Sequence, residues 1–154
     1  MRRLATLIAT WFGSGYLPKA PGTWGSLAAL PFGWVILTVL PGALPLLAAS
    51  MVLLFVGVWA SALHSDMLGT HDAGEIVVDE VVGQWIVLAI APFSPLGWLA
   101  AFLLFRFFDV VKPWPISWID ARVTGGWGIM LDDVVAGLFA AISVLAIVAA
   151  VGDF

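Results

Sequence analysis

Residues 128–152 read GIMLDDVVAGLFAAISVLAIVAAVG, and this stretch decides the fold. As a helix rising 1.5 Å per residue it would reach roughly 37 Å, enough to cross a hydrocarbon core of about 30 Å. Yet Asp132 and Asp133 stand side by side near its start. A carboxylate at the centre of a membrane helix costs roughly 2.5 to 3.5 kcal/mol on the gentlest scale, so such residues lie at an interface or have a purpose.

The rest of the chain agrees with a bilayer setting. Of its 154 residues 62% are hydrophobic and 10% charged. The mean hydropathy of +1.09 lies far outside the range of a soluble domain. Without cysteine there is neither a disulfide framework nor thiolate catalysis. The net charge of −4 gives no expectation of a nucleic-acid partner. Nine of the ten carboxylates fall between Asp66 and Asp133. There is no internal repeat and no low-complexity tract, and residues 1–154 are expected to form a single domain.

Residues 20–65 hold no Asp, Glu, Lys or Arg and are broken only by Pro31 and the turn PGALP at 41–45. This predicts a helical hairpin with arms near 24–40 and 44–63. Residues 81–105 are likewise uncharged and are broken by PFSPLG at 92–97, predicting a second hairpin with shorter arms. With the final helix near 128–151, the expected fold is all-α: a polytopic helical bundle of about five apolar helices, two hairpins plus a last span. Before it, Arg2 and Arg3 precede the short apolar run 4–12, which is too short to span and lacks a cleavage motif. An interfacial or re-entrant helix is expected there.

If the spans alternate, both apolar turns lie on one face and all three polar connections on the other. All six Lys and Arg share that second face, which the positive-inside rule makes cytoplasmic. IVVDEVVGQW then sets Asp79 and Glu80 at the start of one span, as IMLDDVVAG sets Asp132 and Asp133 at the start of another. A helix dipole favours each pair by about 1 kcal/mol per group at most, no more than like-charge crowding and desolvation cost. If the pairs meet, a hard divalent ion such as Mg2+ is the natural companion. In RFFDVVKPWP, residues Arg106, Asp109 and Lys112 follow at i, i+3 and i+6 before Pro113 ends the helix. They are expected to pair with one another, and also to divide a site between them: Asp109 orients or joins a metal shell while Arg106 and Lys112 receive an anion such as phosphate.

Other features carry less. The runs GSG, APGTWGS and TGGWG offer backbone amides to a phosphate, or simply turn the chain. His64 and His71 are too few and scattered for a histidine metal site. The HD pair at 71 and 72 could supply a supporting hydrogen bond or a proton relay, with a solvated loop histidine as the plainer reading. The nine Trp, including those of KPWPISW, suit an interfacial belt.

Three runs together resemble the phosphatidylglycerophosphatase A family: PGTWGSLAA, HD with VVDE, and the long FRFFDVVKPWPISWIDARVTGGWGIMLDDVVAG. WFGSG at 11–15 departs slightly from the family's GFGSG-type run. The resemblance covers roughly residues 13–141. It implies a Mg2+-dependent, all-helical lipid phosphatase of glycerophospholipid synthesis that converts phosphatidylglycerophosphate to phosphatidylglycerol and phosphate. The bacterial inner membrane is the implied location, with the active site facing the cytoplasm. Matched by motif, Asp79, Glu80, Asp132 and Asp133 become the expected metal ligands. Asp79, Asp109, Asp133 and Lys112 become the catalytic candidates, and Arg106, Lys112, Asp72 and Asp120 the substrate-binding ones. Asp66 also falls at a matching position, whereas Lys19 does not. Whether the nucleophile is a metal-activated water or an aspartate stays open. Two other classes compete: a carboxylate-rich cation-binding transporter, and a lipid-binding relative without catalysis. Against the transporter, residues 134–152 hold no charge to continue an ion path.

Overall fold

The structure, a computed structural model, describes residues 1–70 and 73–152. Among these it is all-helical. Helix α1 (Arg2–Ala9) leads through a 3-10 turn to α2 (Pro21–Val39) and α3 (Ala43–Leu68), followed by α4 (Val78–Leu88), α5 (Pro95–Val111), α6 (Ile116–Arg122) and α7 (Gly125–Val151).

Local sequence sets several of these boundaries. Pro21 and Pro95 each open a helix, where the missing N–H costs nothing, and the Ser94 side chain accepts from Gly97 N at 2.9 Å. Gly69 ends α3 in the left-handed conformation with φ 68°. Pro31 does not break α2, which continues through it.

The two hairpins and the last helix stand as expected, but the five helices differ in reach. Three of them, α2, α3 and α7, are long and apolar enough to cross a membrane. Helix α4 has 11 residues, which as a helix is roughly 16 Å, about half a hydrocarbon core. It is instead the centre of the bundle, packed against α2, α3, α5 and α7 with nearly all of its side chains buried. Trp85 donates to Ala29 O of α2 at 2.9 Å, and Ser50 of α3 donates to Val82 O at 3.2 Å. At the α4–α7 crossing two glycines face each other: a Cβ on Gly137 would sit 2.6 Å from Gly83 O. Small residues are what let two helix backbones come this close.

The polarity of the molecule is that of a protein in lipid. Phe32, Val52, Phe55, Leu103 and Ile142 are exposed, while His64, Asp79, Gln84, Asp132 and Asp133 are buried. The last helix also begins earlier than its apolar run suggests, at Gly125. Asp132 and Asp133 therefore lie about two turns inside α7, whereas Asp79 and Glu80 occupy the first turn of α4. The expected likeness of the two acidic pairs is corrected: a dipole that fades within one turn supports Asp79 and Glu80 but not Asp132 and Asp133.

Candidate active site

The start of α4 is fixed from several sides. Val77 N donates to Ala9 O at 2.8 Å, tying the approach to α1. A Cβ on Gly25 would lie 2.6 Å from the Val77 Cβ, so α2 meets this segment at contact distance. With α7 held close through Gly83 and Gly137, carboxylate oxygens of Asp79, Glu80 and Asp133 all come within 4.8 Å of one another. Asp79 is 8% exposed and Asp133 3%.

Cations flank this group without filling it. Arg106 of α5 lies 3.9 Å from Glu80 Oε1 and forms a hydrogen-bonded ion pair with Asp109, one turn further on. Asp133 in turn neighbours Asp109 as well as Glu80 and Asp132. Lys112 caps α5 with a left-handed φ of 45°. That turn lets its ammonium donate to both Asp120 Oδ1 of α6 and Asp132 Oδ2 of α7, each at 2.7 Å. Partial burial disfavours the Lys112 charge, but the bonds to Asp120 and Asp132 outweigh it and raise the ammonium above the usual lysine value.

Of the four expected ligands, then, three converge and the fourth turns away. Successive helical residues point about 100° apart, so Asp133 faces α4 while Asp132 faces Lys112. Two carboxylate oxygens in the neighbourhood, Glu80 Oε2 and Asp132 Oδ1, are buried and have no hydrogen-bond partner among the described residues. Unpaired buried carboxylate oxygens are costly, and three crowded carboxylates repel one another. An oxygen-seeking divalent cation fits this donor set.

The glycine runs prove to be packing elements as much as turns. A Cβ on Gly22 would lie 2.1 Å from Glu80 Oε1 and 2.9 Å from an Arg106 nitrogen. PGTWGS thus presses bare backbone against the pair that borders the carboxylate group. Asp66 is exposed at the end of α3, beside a cavity of about 310 Å3 lined also by Ser65, Thr70 and Ile129. His71 and Asp72 lie outside the described residues. Lys19 is exposed.

His64 is not a solvated loop residue. It is 2% exposed, with Nδ1 3.2 Å from Thr6 Oγ1 and Nε2 3.5 Å from Glu75 Oε1, and it joins α1, α3 and the approach to α4. Neither Thr6 nor Glu75 carries a sequence signal for this, since nothing in spacing says that α1 folds back on α3.

The model of one family, phosphatidylglycerophosphatase A, matches residues 7–148, which include the whole of this constellation. The chain belongs to that family. Two relatives named phosphatidylglycerophosphatase A agree. That of Escherichia coli K12 is 48% identical over 136 residues, covering 88% of this chain and 78% of the relative. That of Haemophilus influenzae Rd is 46% identical over 142 residues, covering 92% and 86%. A third relative, from Bacteroides thetaiotaomicron, is provisionally named a phosphatidylinositol-3-phosphatase and is 42% identical over 142 residues, covering 88% of each chain. No solved structure matches. Phosphatidylglycerophosphatase A membership makes this chain a phosphatase, a hydrolase of phosphate esters, and sets aside both the transporter reading and the non-catalytic one.

Proposed function

We propose that this phosphatase hydrolyses the terminal phosphomonoester of phosphatidylglycerophosphate, giving phosphatidylglycerol and phosphate in glycerophospholipid biosynthesis, with Mg2+ as its cofactor. It works at the cytoplasmic face of the bacterial inner membrane. The observation that carries this reading is the convergence of Asp79, Glu80 and Asp133 within 4.8 Å beside Arg106, in a bundle with an apolar exterior.

Asp79, Glu80 and Asp133 would hold the ion, while Asp132, bonded to Lys112 through one oxygen, leaves the other unpartnered among the described residues. When bound, Mg2+ supplies charge neutralisation for phosphoryl oxygens and acidifies a water. Arg106 receives a non-bridging oxygen from one side and Lys112 from the other, each aimed by a carboxylate that already bonds it, Asp109 and Asp120 respectively. Water oxygen attacks phosphorus, the phosphorus–oxygen ester bond breaks, and the leaving glycerol oxygen takes a proton from solvent water. Asp109 accepts the proton of the attacking water and returns it to solvent after turnover. The acyl chains remain in the bilayer throughout.

The test is phosphate release from the lipid in mixed micelles, with and without Mg2+, for the wild type and for Asp79→Asn and Asp133→Asn. The expected result is metal-dependent release that falls about 100-fold in each variant. Metal-independent release, or full activity in both variants, overturns the assignment. Cation flux in proteoliposomes without phosphate release would return the transporter reading.

A further inference from the structure

Gln84 is fully buried, and both its Nε2 and its Oε1 lack a hydrogen-bond partner among the described residues. A buried carboxamide left unpaired on both sides is costly, and an apolar residue of the same size would avoid that cost. Its position shows what it faces. Gly83 meets Phe105 of α5 and Asp133 of α7, while Trp85 bonds Ala29 of α2. Gln84 lies between these directions, four residues after Glu80 and therefore on the same face of α4. Glu80 on that face meets Gly22 of α2 and Arg106 of α5. Gln84 thus sits in the seam between α2 and α5, one helical turn, about 5.4 Å, further from the α4 N-terminus. The two walls touch only sparsely, and between Trp34 of α2 and the start of α5 lies a cavity of about 200 Å3, lined also by Phe93, Pro95 and Trp98.

A lipid phosphate at Arg106 would lead its tail along this seam, so the atoms next to the reacting phosphate fall at Gln84. An unpaired donor beside an unpaired acceptor calls for a group that is both, and a hydroxyl is the simplest. In the proposed substrate the headgroup glycerol carries one such hydroxyl, a few ångströms from the terminal phosphorus. We infer that Gln84 binds the headgroup glycerol hydroxyl, the carboxamide N–H donating to its oxygen while the hydroxyl donates to Oε1. The inference rests on the phosphatase reading above and adds to it a residue that selects the headgroup.

The experiment compares phosphatidylglycerophosphate with the analogue whose headgroup is propane-1,3-diol phosphate, which lacks only that hydroxyl. Wild-type kcat/KM falls roughly 10- to 100-fold with the analogue, mainly through KM, because the site's polar atoms again go unpaired. Gln84→Leu suffers the same loss on the natural lipid and no further loss on the analogue. A merely structural role would depress both lipids equally in the variant, and that outcome overturns the inference. So does a wild type that turns over both lipids alike. The wild-type comparison needs no variant, and Gln84→Met serves where Gln84→Leu does not fold. Release from neither lipid would end the phosphatase reading and this inference with it. Release without discrimination would end only the inference.

Discussion

Lys112 reaches across from the end of α5 to donate to Asp132 at 2.7 Å, two turns inside α7. The bond depends on the left-handed turn at Lys112 and on Pro113, which together stop α5 and swing the ammonium toward α7. Asp132 is 6% exposed and has no other side-chain partner among the described residues. Lys112→Met leaves a buried charge unpaired and should lower stability by about 1 to 3 kcal/mol. Thermal unfolding in detergent checks this, and Asp132→Asn added to Lys112→Met should restore part of the loss. The arm to Asp120 is half-exposed and adds little. Because Lys112 is raised above its ordinary value, its contribution is fully present below about pH 10.4 and is lost only as pH climbs through the higher folded value. The unfolding difference between wild type and Lys112→Met should therefore not narrow between pH 7 and about 10.

Gly22 bears on activity rather than on folding. An added methyl would meet the ends of the Glu80 and Arg106 side chains, at 2.1 and 2.9 Å, and these can swing aside. Gly22→Ala should keep its unfolding temperature within a few degrees while phosphate release falls roughly 10-fold or more, since small misplacements of charge are expensive in catalysis. Equal activity with lowered stability would reassign Gly22 to packing alone.

The helices were legible because uncharged runs and proline pairs leave little choice in a bilayer: residues 20–65 and 81–105 read directly as two hairpins. The acidic positions were legible too, since nothing but function or an interface retains Asp132 and Asp133 in such a segment. Less visible was their division of labour. Adjacent residues in one helix face different neighbours, and only the packing of α4 and α6 against α7 says which of the two meets Glu80 and which meets Lys112. Gly22 and Gln84 were unreadable for a related reason. A glycine's use is the backbone or side chain it lets in, and a glutamine in an apolar run is odd only once its partners are known to be missing.

Removing the metal should separate the carboxylates by role. With chelator present, phosphate release should cease and return on adding Mg2+. Calorimetric binding of Mn2+ as a Mg2+ surrogate should weaken about 10- to 100-fold in Asp79→Asn and Asp133→Asn, whose oxygens belong to the converging group. Asp132→Asn should weaken binding less, because one of its oxygens is already committed to Lys112. Equal losses in all three would mean that Asp132 turns from Lys112 to the ion when the ion is bound.

His64 separates support from chemistry at the same end of the bundle. It ties Thr6 of α1 to Glu75 ahead of α4, and through that contact it steadies the segment from which Asp79 and Glu80 project. His64→Leu keeps the volume but strands the Thr6 hydroxyl, which should cost about 1 to 2 kcal/mol and raise hydrogen exchange in α1. Turnover per folded molecule should stay within about threefold of wild type, because loosening a support shifts the folded population more than it alters a transition-state contact. A variant that unfolds like the wild type yet loses turnover would instead make His64 part of the reaction.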